Sequence, residues 1–190
     1  MKVVITGNPG VGKHSCAIFV SERLPNSHII DINSVIMNDG TYLTGRVDVT
    51  KEIDVGRIKN IMTRTIKHSK NLVIVGHLAP YVLTSRGIDL VVVLRRSPYH
   101  LEEIFRERKY TFFQSKENIA AEILGITFYD SLKTFGKKLV IELDGTGRTP
   151  ENIAGDIISK LQKRSRKQIG IVDWLSTVYE KGDTQRFLEY

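Results

Sequence analysis

Three glycines and a lysine stand immediately behind the first apolar run of this chain, and their spacing constrains everything that follows. Val3-Val4-Ile5 leads into Gly7-Asn8-Pro9-Gly10-Val11-Gly12-Lys13, with His14 and Ser15 next. Glycines let the main chain fold back on itself so that successive N–H groups point into one small volume, the arrangement an anion requires. Lys13 adds a mobile positive charge able to follow the outer phosphates of a polyphosphate. The segment from Ser15 to Val20 reads as a helix, whose free N–H groups and dipole would face the same anion. The loop amides of Gly10, Val11, Gly12, Lys13, His14 and Ser15 are therefore the candidate phosphate donors. A plain glycine turn followed by a surface lysine would need neither the strand before nor the helix after.

The rest of the chain alternates apolar runs with helical stretches, the pattern of a parallel sheet covered on both faces. Strands are predicted at residues 2–6, 28–32, 71–75, 88–94 and 138–143, and helices at 13–24, 54–69, 98–109, 116–135 and 150–166. Leu90 to Leu94 is apolar throughout and predicts an interior strand. Asp54, Ser97 and Thr149 can cap helices, and Pro98 and Pro150 suit first helical positions. Two stretches break the alternation: a polar, glycine-punctuated one at 38–52, and Arg108 to Ser115, which interrupts a helical region with charge and aromatic rings. Insertions at such places commonly serve binding or movement.

A chain of 190 residues, with 41% hydrophobic and 26% charged residues, suits one domain, here 1–190. No apolar run approaches the ~18 residues of a membrane span. The expectation is therefore no membrane partner, no signal peptide and a cytoplasmic location. One cysteine, Cys16, forms no internal disulfide and reads as a core residue. An excess of 28 Lys+Arg over 21 Asp+Glu, formally +7, fits anionic partners such as nucleotides or RNA. It is densest at residues 160–167, which reads as the solvated end of a helix or as an RNA contact.

The ordered set Gly7 to Lys13, Val75-Gly76-His77-Leu78-Ala79, Val93-Leu94-Arg95, Arg108 with Lys116-Glu117-Asn118, Glu122-Ile123-Leu124-Gly125 and Asp144-Gly145-Thr146-Gly147-Arg148-Thr149-Pro150 resembles the archaeal and nuclear atypical adenylate kinases, the coilin-interacting nuclear ATPase family. The resemblance extends through about Lys160, and Val172-Asp173-Trp174-Leu175 is similar to an archaeal tail. It implies an α/β P-loop NTPase fold: a five-stranded parallel sheet flanked by helices, a monophosphate-binding arm at about 32–52, a short lid at about 107–117 and a tail at about 168–190. It also implies ATP and Mg2+, transfer of the γ-phosphoryl group to AMP or another nucleoside monophosphate, ATPase activity, and a part in small ribosomal subunit maturation with a platform ribosomal protein and rRNA.

Within that resemblance Lys13, Arg108 and His77 take the catalytic places. Arg108 would close over the donor, or else pair with Glu102, Glu103 or Glu107. Arg95 should emerge at the ligand edge of its strand, or sit in a structural ion pair. His77 would orient water or the metal shell, or stand as a hydrogen-bonded bystander at the strand end, and Ser15 would bond a donor phosphate from the helix start and serve as the metal-side hydroxyl. Asp144 and Thr146 fall near the adenine side or cap the loop before Thr149. Tyr42, Arg46 and Asp48 are acceptor-base candidates in the arm. Two departures stand out. His14 occupies the place where many such loops carry a hydroxyl, and Val75 occupies the family's acidic position, which leaves Asp31 as a substitute or as a cap. The alternative to a kinase is a nucleotide-dependent assembly factor with little phosphotransfer.

Overall fold

The computed structural model describes residues 1–38, 42–43, 52–163 and 168–189. β1 (Lys2–Thr6) passes through the glycine loop into α1 (Lys13–Glu22), and β2 (His28–Asp31) into α2 (Ile32–Asn38). A two-stranded antiparallel pair, β3 (Tyr42–Leu43) and β4 (Glu52–Ile53), precedes α3 (Val55–His68). β5 (Leu72–Val75) is followed by α4 (Ala79–Val82), and β6 (Leu90–Arg95) by α5 (Pro98–Glu107), α6 (Phe112–Ile123) and α7 (Ile126–Phe135). β7 (Val140–Asp144) leads to α8 (Pro150–Lys163), then α9 (Trp174–Glu180) and α10 (Thr184–Leu188) close the described chain.

The main sheet has five strands in the order β2-β5-β1-β6-β7, and every pairing within it is parallel. Because both faces are covered, successive side chains of one strand go to opposite cores, which explains the unbroken apolar runs. Val3 and Ile5 pack with Leu101, Phe105 and Ile157 on one face. Val4 packs with Ile58, Met62 and Ile74 on the other. β6 divides the same way, Val92 and Leu94 to the first core and Val91 and Val93 to the second. Each such fully buried side chain contributes roughly 1.5–3 kcal/mol relative to exposure.

All five predicted strands are present, with ends shifted by up to two residues. The predicted helix over 116–135 is two helices. Helix α6 starts earlier, at Phe112, because Thr111 accepts from the Gln114 amide at 3.2 Å and the Gln114 side chain accepts from the Thr111 amide, a reciprocal cap. It stops at Ile123, and Gly125, with φ +65°, turns the chain before α7 begins. Residues other than glycine resist that left-handed conformation. Asp54 and Thr149 cap their helices as expected, accepting from the amides of Arg57 and Asn152. Ser97 makes no side-chain cap; its own amide donates to Thr146 Oγ1 at 2.8 Å. Arg46 and Asp48, and residues 164–167 of the basic run, lie outside the described residues. No helix among the described residues is long and apolar enough to cross a membrane.

Candidate active site

Every parallel strand delivers its carboxyl end to the same edge of the sheet, and the strand order reverses direction around β1, where open α/β sheets place their ligands. The loop after β1 is locked there by close packing. Gly7 has φ +136°, and a Cβ at that position would stand 2.3 Å from the Leu94 carbonyl oxygen. Gly10 and Gly12 also have positive φ, and Gly10 lies against Leu101 and Phe105 of α5. Gly12 is the N-cap of α1 and accepts from the Cys16 amide at 3.1 Å, so the first turn of a ten-residue helix opens toward the loop. Cys16 itself is buried, and burial pushes its thiol up to about 11, consistent with a packing role.

Lys13 folds back into the loop, where Nζ donates to the Asn8 carbonyl at 2.8 Å with 6% of the residue exposed. Burial lowers its pKa to about 8, against the raising effect of Glu122 and Asp31, while the Arg108 charge lowers it further. The predicted pair Lys13 and Arg108 is thus within electrostatic reach in the folded chain. Arg108 is exposed on the short connection between α5 and α6, and no carboxylate among the described residues pairs with it. Glu102 pairs instead with Arg186. The connection is braced by Tyr110, which stacks on Phe105 at 4.8 Å and donates its amide to the Phe105 carbonyl.

The two departures from the family pattern meet in space. His14 Nε2 lies 3.1 Å from Asp31 Oδ2, and Asp31 is in register with Val75 across the β2–β5 pairing. A carboxylate therefore sits one strand away from the position where the buried Val75 offers none. Asp31 also accepts from the Asn33 amide at 2.9 Å, so it caps the following turn as well. His77, half-buried after β5, feels Lys13, Asp31 and His14. Burial and the Lys13 charge hold its pKa below the ordinary histidine value, which favours a neutral imidazole at pH 7.

Arg95 does not emerge at the ligand edge. It is 3% exposed and enclosed by Glu122 and Glu142, the structural ion pair. Its neighbour Arg96 is the residue that faces the loop. Arg96 Nη2 donates to the Gly145 carbonyl at 3.3 Å and lies 3.5 Å from where a Gly12 Cβ would be, and its buried Nε has no partner among the described residues. The tandem Arg95-Arg96 shows only that the two side chains leave the strand end on opposite sides. Asp144 and Thr146 are engaged in the loop itself: Asp144 accepts from the Thr146 amide, and Thr146 from the Ser97 amide.

These groups fit a magnesium polyphosphate. A glycine cradle, a buried lysine, an orphaned Arg96 Nε and the exposed Arg108 supply donors and positive charge around one volume. Among the described residues no cluster of three His, Cys, Asp or Glu could hold a metal. Ser15 is exposed in the first turn of α1, beside the loop.

A glycine loop at the switch point of a parallel sheet, with a lysine drawn into it, defines a P-loop nucleotide-binding protein. The family model described as an AAA domain matches residues 3–125. The chain is 32% identical to a Thermococcus kodakarensis protein named "Putative adenylate kinase" over 181 residues, covering 95% of this chain and 96% of that one. A Pyrococcus abyssi protein of the same name is 33% identical over 182 residues, covering 95% and 94%. The chain belongs to this P-loop family, among the nucleoside monophosphate kinases. The thymidylate kinase of Candida albicans shares the fold, with a TM-score of 0.55 and 13% identity over 85% of this chain and 90% of that one.

Proposed function

We propose that this protein transfers the γ-phosphoryl group of magnesium-bound ATP to AMP, giving two molecules of ADP. The observation that carries the reading is Lys13, buried in a glycine loop at the ligand edge of the sheet and within reach of the Arg108 charge. An oxygen of the acceptor monophosphate attacks the γ phosphorus, the bond to the bridging β oxygen breaks, and the leaving group is ADP. That acceptor oxygen is already anionic, so no general base is needed. What the chain must supply is alignment and charge neutralisation. The loop amides, Lys13, Arg96 and Arg108 do so without a proton changing hands. Hydrolysis makes a heavier demand, because a water must be placed and relieved of a proton, and Val75 offers no acid for that task. Asp31 and neutral His77 are the groups that support a weaker ATPase activity.

The name carried by the archaeal relatives supports AMP as acceptor. A coupled assay of ATP with AMP, CMP, UMP or no acceptor tests it, with Lys13→Ala as control. AMP-dependent ADP formation well above acceptor-free hydrolysis is expected, and equal rates with and without every acceptor reject it. The second reading, a nucleotide-dependent ribosome assembly factor acting on a platform protein and rRNA, is favoured by the basic run at 160–167 and by Val75. ATP binding with no acceptor-dependent ADP would select it.

A further inference from the structure

The segment after α8 returns to the sheet and enters the same polar cluster that holds the nucleotide loop. Gln168 accepts at its carbonyl from the Glu142 amide at 2.8 Å, and the Ile171 amide donates to Glu142 Oε2 at 2.9 Å. Asp173 caps α9 by accepting from the Ser176 amide, which fixes Trp174 in the first turn. There the indole Nε1 donates to Glu122 Oε1 at 3.2 Å. Glu122 is fully buried on α6, and its other oxygen accepts from Asn8 Nδ2 at 2.6 Å. Asn8 is the loop residue whose carbonyl accepts from Lys13. Three hydrogen bonds therefore join the tail to the lysine that would grip the polyphosphate.

The same segment also ties the two helices on either side of Arg108. Phe187 of α10 is buried edge-on against Tyr99 of α5 at 5.1 Å, and Tyr99 donates to Asp183 at 2.7 Å. Arg186 pairs with Glu102 of α5, and Lys116 of α6 donates to the Glu189 carbonyl. Of residues 168–189, Val178 and Phe187 are the fully buried side chains, and Trp174 and Leu188 pack against the same core. Hydrogen bonds to a buried charge are shorter and stronger than those between neutral groups.

We propose that Trp174 is a positioning residue for the nucleotide loop, and that segment 168–189 holds the loop and the Arg108 connection in a single arrangement. The inference rests on the reading of that loop as an ATP site. When phosphate draws Lys13 Nζ away from the Asn8 carbonyl, Asn8 readjusts against Glu122, and Glu122 against the indole. This readjustment tightens the indole contact in the bound state, so by linkage removing that contact weakens ATP binding.

The chain tests this without modification, because Trp174 is the one tryptophan among its 190 residues. Titration with magnesium-ATP should change the indole emission saturably, at the midpoint given by calorimetry. Trp174→Phe keeps the aromatic packing and removes the N–H. It should raise the Kd and KM for ATP about fivefold while leaving KM for the acceptor unchanged. A tail that merely packs would lower the melting temperature and leave both ATP constants alone. Unchanged emission on binding, or a Trp174→Phe Kd within twofold of the native value, overturns the proposal while the ATP reading stands. Absence of binding heat in the native chain overturns both.

Discussion

Arg95 Nε donates to Glu122 Oε1 at 2.7 Å with both side chains out of solvent, and the same guanidinium binds Glu142 on the adjacent strand. One cation thus serves two carboxylates, which would otherwise repel each other inside the protein. The remaining acceptor capacity is filled by Asn8, the Arg96 and Ile171 amides and Trp174. Removing one partner of a buried pair costs more than the pair contributes, because a charge is left uncompensated. Arg95→Ala should therefore destabilise the fold by roughly 3–5 kcal/mol in urea unfolding. Burial already raises the Glu122 pKa. In the variant it rises further above its unfolded value, so the folded state takes up protons on acidification. The deficit relative to the native chain should shrink as pH falls.

Lys13 gives a pH signature. Its folded pKa, about 8, lies below the unfolded value of 10.5, so between those values the unfolded chain holds the extra proton. The stability of the nucleotide-free protein should accordingly rise with pH across that window. Bound phosphate favours the charged amine, so ATP binding should take up protons above about pH 8 and almost none at pH 7. Calorimetry in buffers of different ionisation enthalpy measures this. Uptake approaching one proton per ATP at about pH 9 is expected in the native chain, and none in Lys13→Met.

How much of this was legible beforehand depended on the range of the interaction. The strands show in the sequence because unbroken apolar runs such as Leu90 to Leu94 have few other homes than a doubly covered sheet. The glycine loop shows because its backbone admits no other residue at Gly7. The break at Gly125 was hidden in a stretch that is helical on both sides. The fate of Arg95 was not readable, since Glu122 lies 27 residues away and nothing local distinguishes a carboxylate that turns inward. The meeting of His14 with Asp31, and the approach of Arg96 to Gly12, likewise depend on strand order, which the sequence expresses only through the fold.

Gly7 offers a test of the loop independent of any ligand. A methyl group there would stand 2.3 Å from the Leu94 carbonyl oxygen, and φ of +136° is unfavourable for any side chain. Backbone must shift on both counts. Gly7→Ala should lose about 3 kcal/mol or more of stability by denaturant unfolding, and ATP binding with it.

His77 should titrate below 6.5, because burial and the Lys13 charge both oppose its protonation. The neighbours set the direction of each variant. Lys13→Met removes a like charge and should raise the His77 midpoint, whereas Asp31→Asn removes an opposite charge and should lower it. Proton NMR of the imidazole ring follows all three proteins. A midpoint that ignores both substitutions would mean that His77 lies away from the lysine.

Arg108 separates catalysis from stability. It is exposed, sits on a connection rather than inside a helix, and has no ion-pair partner among the described residues. Arg108→Ala should therefore change folding stability by no more than about 0.5 kcal/mol. Its charge nevertheless reaches Lys13 across the loop. A cation that approaches the transferring group stabilises charge that is greatest in the transition state, so its loss falls on turnover more than on binding. The expected result is a kcat lowered about 10²–10³-fold, with KM for ATP changed only a few-fold. Arg108→Lys should recover part of kcat, since it restores the charge but not the planar two-point contact. A kcat within threefold of native in Arg108→Ala, measured by the coupled assay with AMP, would place the transferring phosphoryl group out of reach of the α5–α6 connection.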